Sequence, residues 1–272
     1  MPLEGISLLC FAASYGGAFA LELLQLIRPR AIQRLIGLGF GAAGLLAHTL
    51  FLLVKQPPVA SQFGSTLFLA WILAVFYFYG SIHHGKVAWG VFVLPLVLGL
   101  VGLASTFSRT PGEGETSWLV DLRSFEGERI WGLIHAGLLL LAAVGVCVGF
   151  LASVMYLFQA HRLKVKTLPG HGMRLLSLER LEAMNRRAIV LAFPLLTAGL
   201  LVGIVLMVQA ANPVRTWTDP RILAAAALWL VFVILLYLRY GAHLRGRRVA
   251  LLTIVAFALL LITLIVPHTL TG

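Results

Sequence analysis

Charge is scarce in this chain. Only 11% of its 272 residues are Asp, Glu, Lys or Arg, where a soluble domain carries about a quarter. Apolar residues make up 60% and the mean hydropathy is +0.96, which excludes an ordinary water-soluble core. Cysteine is almost absent. Cys10 and Cys147 form no Cys-x-x-Cys pair, so thiol–disulfide chemistry is excluded, and so is the Cys-x-x-Cys-His site that holds haem covalently. Long hydrophilic stretches are missing too. None exceeds about 30 residues, which leaves no room for a separate soluble domain.

What the chain has instead is uncharged length. A helix needs about 20 apolar residues to cross a bilayer. Eight stretches qualify, at 5–27, 31–54, 63–80, 86–107, 130–158, 187–210, 219–240 and 248–267. All read as helices, because an open strand in lipid leaves its backbone groups unpaired. The sequence therefore predicts an all-α integral membrane protein, one domain over 1–272, with eight transmembrane helices. The first stretch has no basic start and runs on past "AFA" to Ile27, so it reads as a retained span rather than a cleaved signal.

The net charge of +11 raises nucleic acid as a partner, but its distribution excludes it. With the N-terminus outside, the inner side holds Arg28, Arg30, Arg34, Lys86, Arg162, Lys164, Lys166, Arg174, Arg180, Arg186, Arg187, Arg239, Arg245, Arg247 and Arg248. The outer side holds Lys55, Arg109, Arg123, Arg129, Arg215 and Arg221. That bias is the positive-inside pattern. It places both termini on the outer (periplasmic) side and turns the cations toward anionic membrane lipids.

Two connections are long. The outer one, 108–129, is rich in acidic residues and glycine; the inner one, 159–186, is basic. In the latter, Ser177-Leu178-Glu179-Arg180 reads as an N-cap opening a short amphipathic helix. Leu178, Leu181 and Met184 share a face suited to the membrane surface, and the segment reads as a lead-in to the sixth span. No internal repeat is visible in the letters.

Gly39-Phe40-Gly41-Ala42-Ala43-Gly44 spells G-x-G-x-x-G, but no strand precedes it and it falls inside the second span, so a dinucleotide site is excluded. Gly37, Gly41, Gly44 and His48 instead line one helix face. Two readings stand open. Glycines let a neighbouring helix approach closely; equally, the face is a slot for a flat ring such as a porphyrin, with His48 as ligand or edge contact. His48 and His135 lie at similar depth in the outer half, and His268 follows the last span, so three imidazoles gather near one membrane face. Imidazole is an axial ligand of haem iron, and ionisable groups within a membrane are functional candidates. Trp71 and Phe68 in the third span are candidates to face a bound ring. His83, His84, His161, His171 and His243 sit on the inner side, and His83-His84 reads as a solvated turn. Glu22 reads as snorkelling toward Arg28 and Arg30.

Three segments carry a resemblance. "WGLIHAGLLLLAAVGVCVGFLASVMYLF", "LSLERLEAMNRRAIVLAFPLLTAGLLVG" and "WTDPRILAAAALWLVFVILLYLR" resemble the cytochrome c assembly protein family: the haem-handling CcsA-type subunit of cytochrome c synthases and the related HemX-like membrane proteins. The resemblance implies haem b held noncovalently at the outer face by two histidines beside a tryptophan-rich segment. "WGLIH" puts the first histidine at His135, and the position after the last span puts the second at His268, with His48 as the other choice. The tryptophan-rich segment maps to Trp217, Asp219 and Pro220. Trp217 and Trp118 would then shelter a ring edge, Gly41, Gly44 and Trp71 would line a slot, and Arg215 or Arg221 would pair with propionates. The full Trp-Gly-x-x-Trp-x-Trp-Asp pattern is missing, and Tyr237 stands where the synthases have a further histidine. Both departures point to a HemX-like member without ligation activity of its own. Implied partners are haem and a membrane protein of a cytochrome c synthase. Alternatives are a haem-carrying or structural subunit of a membrane electron-transfer complex, and a transporter of haem or another small solute. The expected location is a bacterial cytoplasmic membrane, or a thylakoid-type one.

The orientation is testable. A phosphatase reporter that works only outside the cytoplasm should be active when fused after Trp118 and silent after Leu168; the reverse pattern would invert the topology.

Overall fold

The computed structural model describes residues 7–28, 30–83, 88–107, 127–165, 175–209, 219–242 and 246–265. Among the described residues there is no strand. Eight helices follow in order: α1 (Leu8–Ile27), α2 (Ala31–Lys55), α3 (Gln62–His83), α4 (Gly90–Phe107), α5 (Gly127–Lys164), α6 (Leu178–Gln209), α7 (Pro220–Leu236) and α8 (Arg247–Ile265). A π-helical turn, Tyr237–Gly241, continues α7. Eight helices are long and apolar enough to cross a membrane, α7 together with that turn.

The main difference from the expected spans is in the inner connection. α5 runs on to Lys164 and α6 begins at Leu178 rather than 187, so most of the expected 159–186 loop is helix. Ser177 caps α6, its Oγ accepting the Arg180 N–H at 3.3 Å, and the amphipathic lead-in is continuous with the span. Leu181 turns into the core rather than toward the membrane surface.

The chain falls into two compact units, one built on α1–α4 and the other on α5–α8. In the first, α1 packs on α2 and α4, and α3 packs on α2 and α4, closing a ring of four helices. The buried face of α2 holds the residues read from the sequence, Gly37, Gly41, Gly44 and His48, and extends to Phe51 and Leu52. A Cβ on Gly41 would lie 2.9 Å from the Tyr77 ring of α3, and one on Gly44 would lie 2.8 Å from the Tyr15 ring of α1. The glycines thus admit two tyrosine rings. Gly39 faces open space, so the G-x-G-x-x-G letters are split between two sides of one helix. Trp71 Nε1 donates to Thr49 Oγ1 at 2.9 Å, joining α3 to α2.

In the second unit α5 packs on α6 and α8, and α7 packs on α8 and α6. α5 and α6 meet through small residues: a Cβ on Gly145 would sit 2.7 Å from Ala192 Cβ. Close approach of this kind is how helices associate in lipid, where apolar burial supplies no drive. Asn185, buried on α6, ties the ring together. Its Nδ2 donates to Gly149 O (3.2 Å), Ser153 Oγ (2.8 Å) and Thr253 Oγ1 (3.1 Å). Its Oδ1 accepts from Arg239 Nη1 at 3.2 Å. One side chain therefore reaches α5, α8 and the end of α7.

Asn185→Leu should remove one acceptor of the Arg239 guanidinium and the amide donor shared by Gly149 O, Ser153 and Thr253, costing about 1–3 kcal/mol. The check is the midpoint of heat- or detergent-induced unfolding of the purified protein, with Ser153→Ala, which removes a single acceptor, as the milder comparison.

Candidate functional site

α5 carries His135 eight residues from its start at Gly127, about 12 Å along the axis at 1.5 Å per residue. The imidazole lies against α6 where Gly199 and Gly203 stand one turn apart. A Cβ on Gly203 would be 2.6 Å from His135 Cε1, so only glycine leaves the ring its place. The same lack of side chains bares the helix backbone, and His135 Nδ1 reaches Gly199 O at 2.7 Å. A carbonyl only accepts, so Nδ1 carries the proton and Nε2 carries the lone pair of the neutral ring. An imidazole fixed in this way, with one nitrogen donating to a carbonyl, is the usual arrangement of a histidine that ligates metal through the other. Leu139, one turn further along α5, covers Gly199.

His48 is placed differently. It is fully enclosed in the first unit. Phe11 stacks on it with ring centres 4.2 Å apart and planes 4° apart, and Tyr15 Oη lies 3.4 Å from its Nδ1. The porphyrin slot expected along Gly41 and Gly44 is taken by the Tyr77 and Tyr15 rings. Trp71, expected to face a ring, spends its N–H on Thr49.

Asp219 immediately precedes α7, its carbonyl accepting the Leu223 N–H at 3.0 Å. Pro220 opens the helix, where a missing N–H is harmless. Arg221 lies in the first turn of α7; its side chain, together with His268, Trp217, Trp118 and Arg215, is outside the described residues. Tyr237, at the place where the synthases have a histidine, is 69% exposed at the head of the π-helical turn.

Two inner-end groups depart from expectation. Glu22 lies not toward Arg28 and Arg30 but against Gly90 at the start of α4, where a Cβ would be 2.7 Å from its carboxyl carbon; Arg34 is the cation whose charge reaches it. Arg239, expected in an inner loop, is turned into the second unit. Its Nη2 donates to Glu182 O at 3.3 Å and lies 3.9 Å from Glu182 Oε1. The π-helical turn rotates the chain out of the α-helical register there, a change invisible in a spacing of 3.6. Asn185 and Arg239 were missed as structural residues. Their only signal was polarity at the edge of an apolar run. His83 ends α3 exposed, stacked on Tyr79.

With this geometry in place, comparison with known proteins is decisive. The sequence model described as Cytochrome C assembly protein matches residues 59–270. The chain belongs to the cytochrome c assembly protein family. Similar proteins include the cytochrome c biogenesis protein CcsA of Thermosynechococcus vestitus, 25% identical over 235 residues, covering 74% of this chain and 72% of that one. The CcsA of Synechococcus sp. strain JA-2-3B'a(2-13) is 26% identical over 299 residues, covering 89% and 83%. The CcsA of Gloeobacter violaceus is 24% identical over 282 residues, covering 84% and 82%. No solved structure gives a significant match. The chain is therefore a multi-pass membrane protein of cytochrome c biogenesis.

If the glycine pair exists to seat His135, Gly203→Leu should lower the yield of mature cytochrome c as far as His135→Ala does, at unchanged protein level in the membrane. The check is haem staining of cytochromes in cells that depend on this chain.

Proposed function

We propose that this member binds haem b noncovalently near the outer membrane face and presents it to a partner that completes cytochrome c. The observation that carries the reading is the His135 imidazole, seated against Gly203 and oriented by its Nδ1 bond to Gly199 O. A single imidazole nitrogen is a donor suited to haem iron. His135 would be one of the residues that hold the haem iron. His268 is assigned as the other ahead of His48, because His48 is enclosed by Phe11 and Tyr15 and has no room beside it for a macrocycle. Bound haem would supply the vinyl groups that the cytochrome thiols attack. The chain's own residues hold and orient: Gly199 and Gly203 seat the imidazole, Trp217 and Trp118 shelter ring edges, and Arg215 or Arg221 pairs with a propionate.

The lost tryptophans and Tyr237 make this a HemX-like, divergent member, and the covalent attachment belongs to a synthase partner. The cyanobacterial relatives support a cytoplasmic or thylakoid-type membrane; the positive-inside charge pattern is what favours both termini on the outer side.

The test is the absorption spectrum of the purified protein. Wild type should show the sharp bands of six-coordinate haem. His135→Ala and His268→Ala should each lose or shift them, and His48→Ala should leave band positions unchanged. An unaltered spectrum and haem content in His135→Ala would discard the assignment.

A further inference from the structure

We infer that the two four-helix units are copies of one another, so that the chain is a tandem repeat whose kinship survives in packing rather than in letters. The starting observation is a pair of identical bridges. In the first unit Thr49 on the second helix bonds back to Leu45 O at 2.7 Å and accepts from Trp71 Nε1 on the third helix at 2.9 Å. In the second unit Thr197, again on the second helix, bonds back to Phe193 O at 2.8 Å and accepts from Trp229 Nε1, again on the third, at 3.0 Å. The bridges equate Thr49 with Thr197 and Trp71 with Trp229, which sets the register of two helices at once.

The Cβ contacts between first and second helix give a second, separate measure. A Cβ on Gly44 would meet the Tyr15 ring at 2.8 Å and Ser14 Cβ at 3.2 Å, and one on Gly145 meets Ala192 Cβ at 2.7 Å. If Ser14 answers to Gly145, then Gly44 must answer to Ala192. The threonine register, obtained from other atoms, demands that same match.

Burial then bears on the first three helices, whose registers those contacts set. Positions spaced three and four apart are buried in any bundle helix, so burial alone proves nothing; what counts is agreement with registers already set. On the second helix Gly37, Gly41, Gly44, His48 and Phe51 answer to Asn185, Ile189, Ala192, Leu196 and Gly199, all buried. On the first, Phe11, Tyr15 and Ala18 answer to Ala142, Val146 and Gly149, also all buried. On the third, Ala70, Ala74 and Tyr77 answer to Leu228, Phe232 and Leu235. On the fourth, where burial itself sets the register, Val93, Leu94, Val97, Leu100, Val101 and Ala104 answer to Val249, Ala250, Thr253, Ala256, Phe257 and Leu260, all buried, while buried Gly90 answers to the partly exposed Gly246.

The correspondence also makes sense of the inner-end polar groups. Each copy sets a carboxylate against the start of its fourth helix: Glu22 over Gly90, and Glu182 Oε1 accepting the Gly246 N–H at 3.4 Å. Arg34 answers to Glu182, and Ser81 answers to Arg239. Arg34 bonds to Ser81 O at 3.3 Å, while Arg239 bonds to Glu182 O. The same two places are joined in both copies, with the guanidinium moved from the second helix to the third. At the other end the copies part. Gly199 and Gly203, which seat His135, answer to Phe51 and Lys55, so the histidine groove belongs to the second copy alone.

The repeat makes a prediction about a contact in the first unit. Gly149 on the first helix approaches Thr253 on the fourth, with 3.2 Å from an added Cβ to Thr253 Cγ2. The equivalent pair is Ala18 and Val97. In a full-length chain with Cys10→Ser and Cys147→Ser, the double variant Ala18→Cys/Val97→Cys should lose both thiols to maleimide labelling after mild oxidation in membranes, as should Gly149→Cys/Thr253→Cys. Ala18→Cys/Leu98→Cys should keep both. Pairing at 98 instead of 97, or in neither, overturns the register. A cryo-electron microscopy structure of the unsubstituted protein decides the matter if a variant fails to accumulate. Superposition of the two units should take each helix onto its partner in the register above, and a best fit in another order or register would sink the inference.

Discussion

Everything in this protein depends on helices meeting closely in a solvent that does not push them together. Lipid tails are as apolar as leucine, so contact between spans must come from dispersion at short range and from hydrogen bonds that lipid cannot replace. Both devices recur. Gly41 and Gly44 let tyrosine rings settle on α2, and Gly145 brings α5 onto α6. Thr49, Thr197 and Asn185 supply the polar links. The outward faces, such as Leu53, Val75, Leu141 and Leu191, need no partner beyond lipid.

The candidate site uses the same device for a second purpose. Gly199 and Gly203 are small for packing, but smallness also uncovers the α6 backbone and makes a carbonyl available to an imidazole. The ring is then oriented by a backbone carbonyl of the scaffold. His48 shows the opposite outcome of a similar setting: its helix face is equally rich in glycine, yet the space goes to Tyr15 and Phe11, and the imidazole becomes part of the core. Which way a glycine-lined face is filled depends on what the neighbouring helix carries.

Much of the architecture was legible because lipid leaves so few options. Eight apolar runs could only be eight helices, and 4-3-4 spacing put Gly37, Gly41, Gly44 and His48 on one buried face. Helix ends were less legible. α5 and α6 extend into the basic 159–186 stretch because polar residues continue a helix readily once it leaves the membrane core, and hydropathy marks only that core. Arg239 was assigned to a loop for the same reason. The family was legible in "WGLIH" and the segments after it, since those letters are specific where apolar runs are not.

The amino-acid order alone determined the number of spans, their helical form and the face each turns inward, because backbone satisfaction in lipid and helical periodicity act locally. The tertiary structure decided who fills each face: tyrosines rather than a macrocycle against α2, an imidazole against α6, a guanidinium folded back on Asn185. Those outcomes turn on contacts between residues distant in sequence, and so does the likeness of the two halves. Packing registers persist where side chains have drifted, since a bundle tolerates exchange of one apolar group for another but not a slip of one helix past its neighbour.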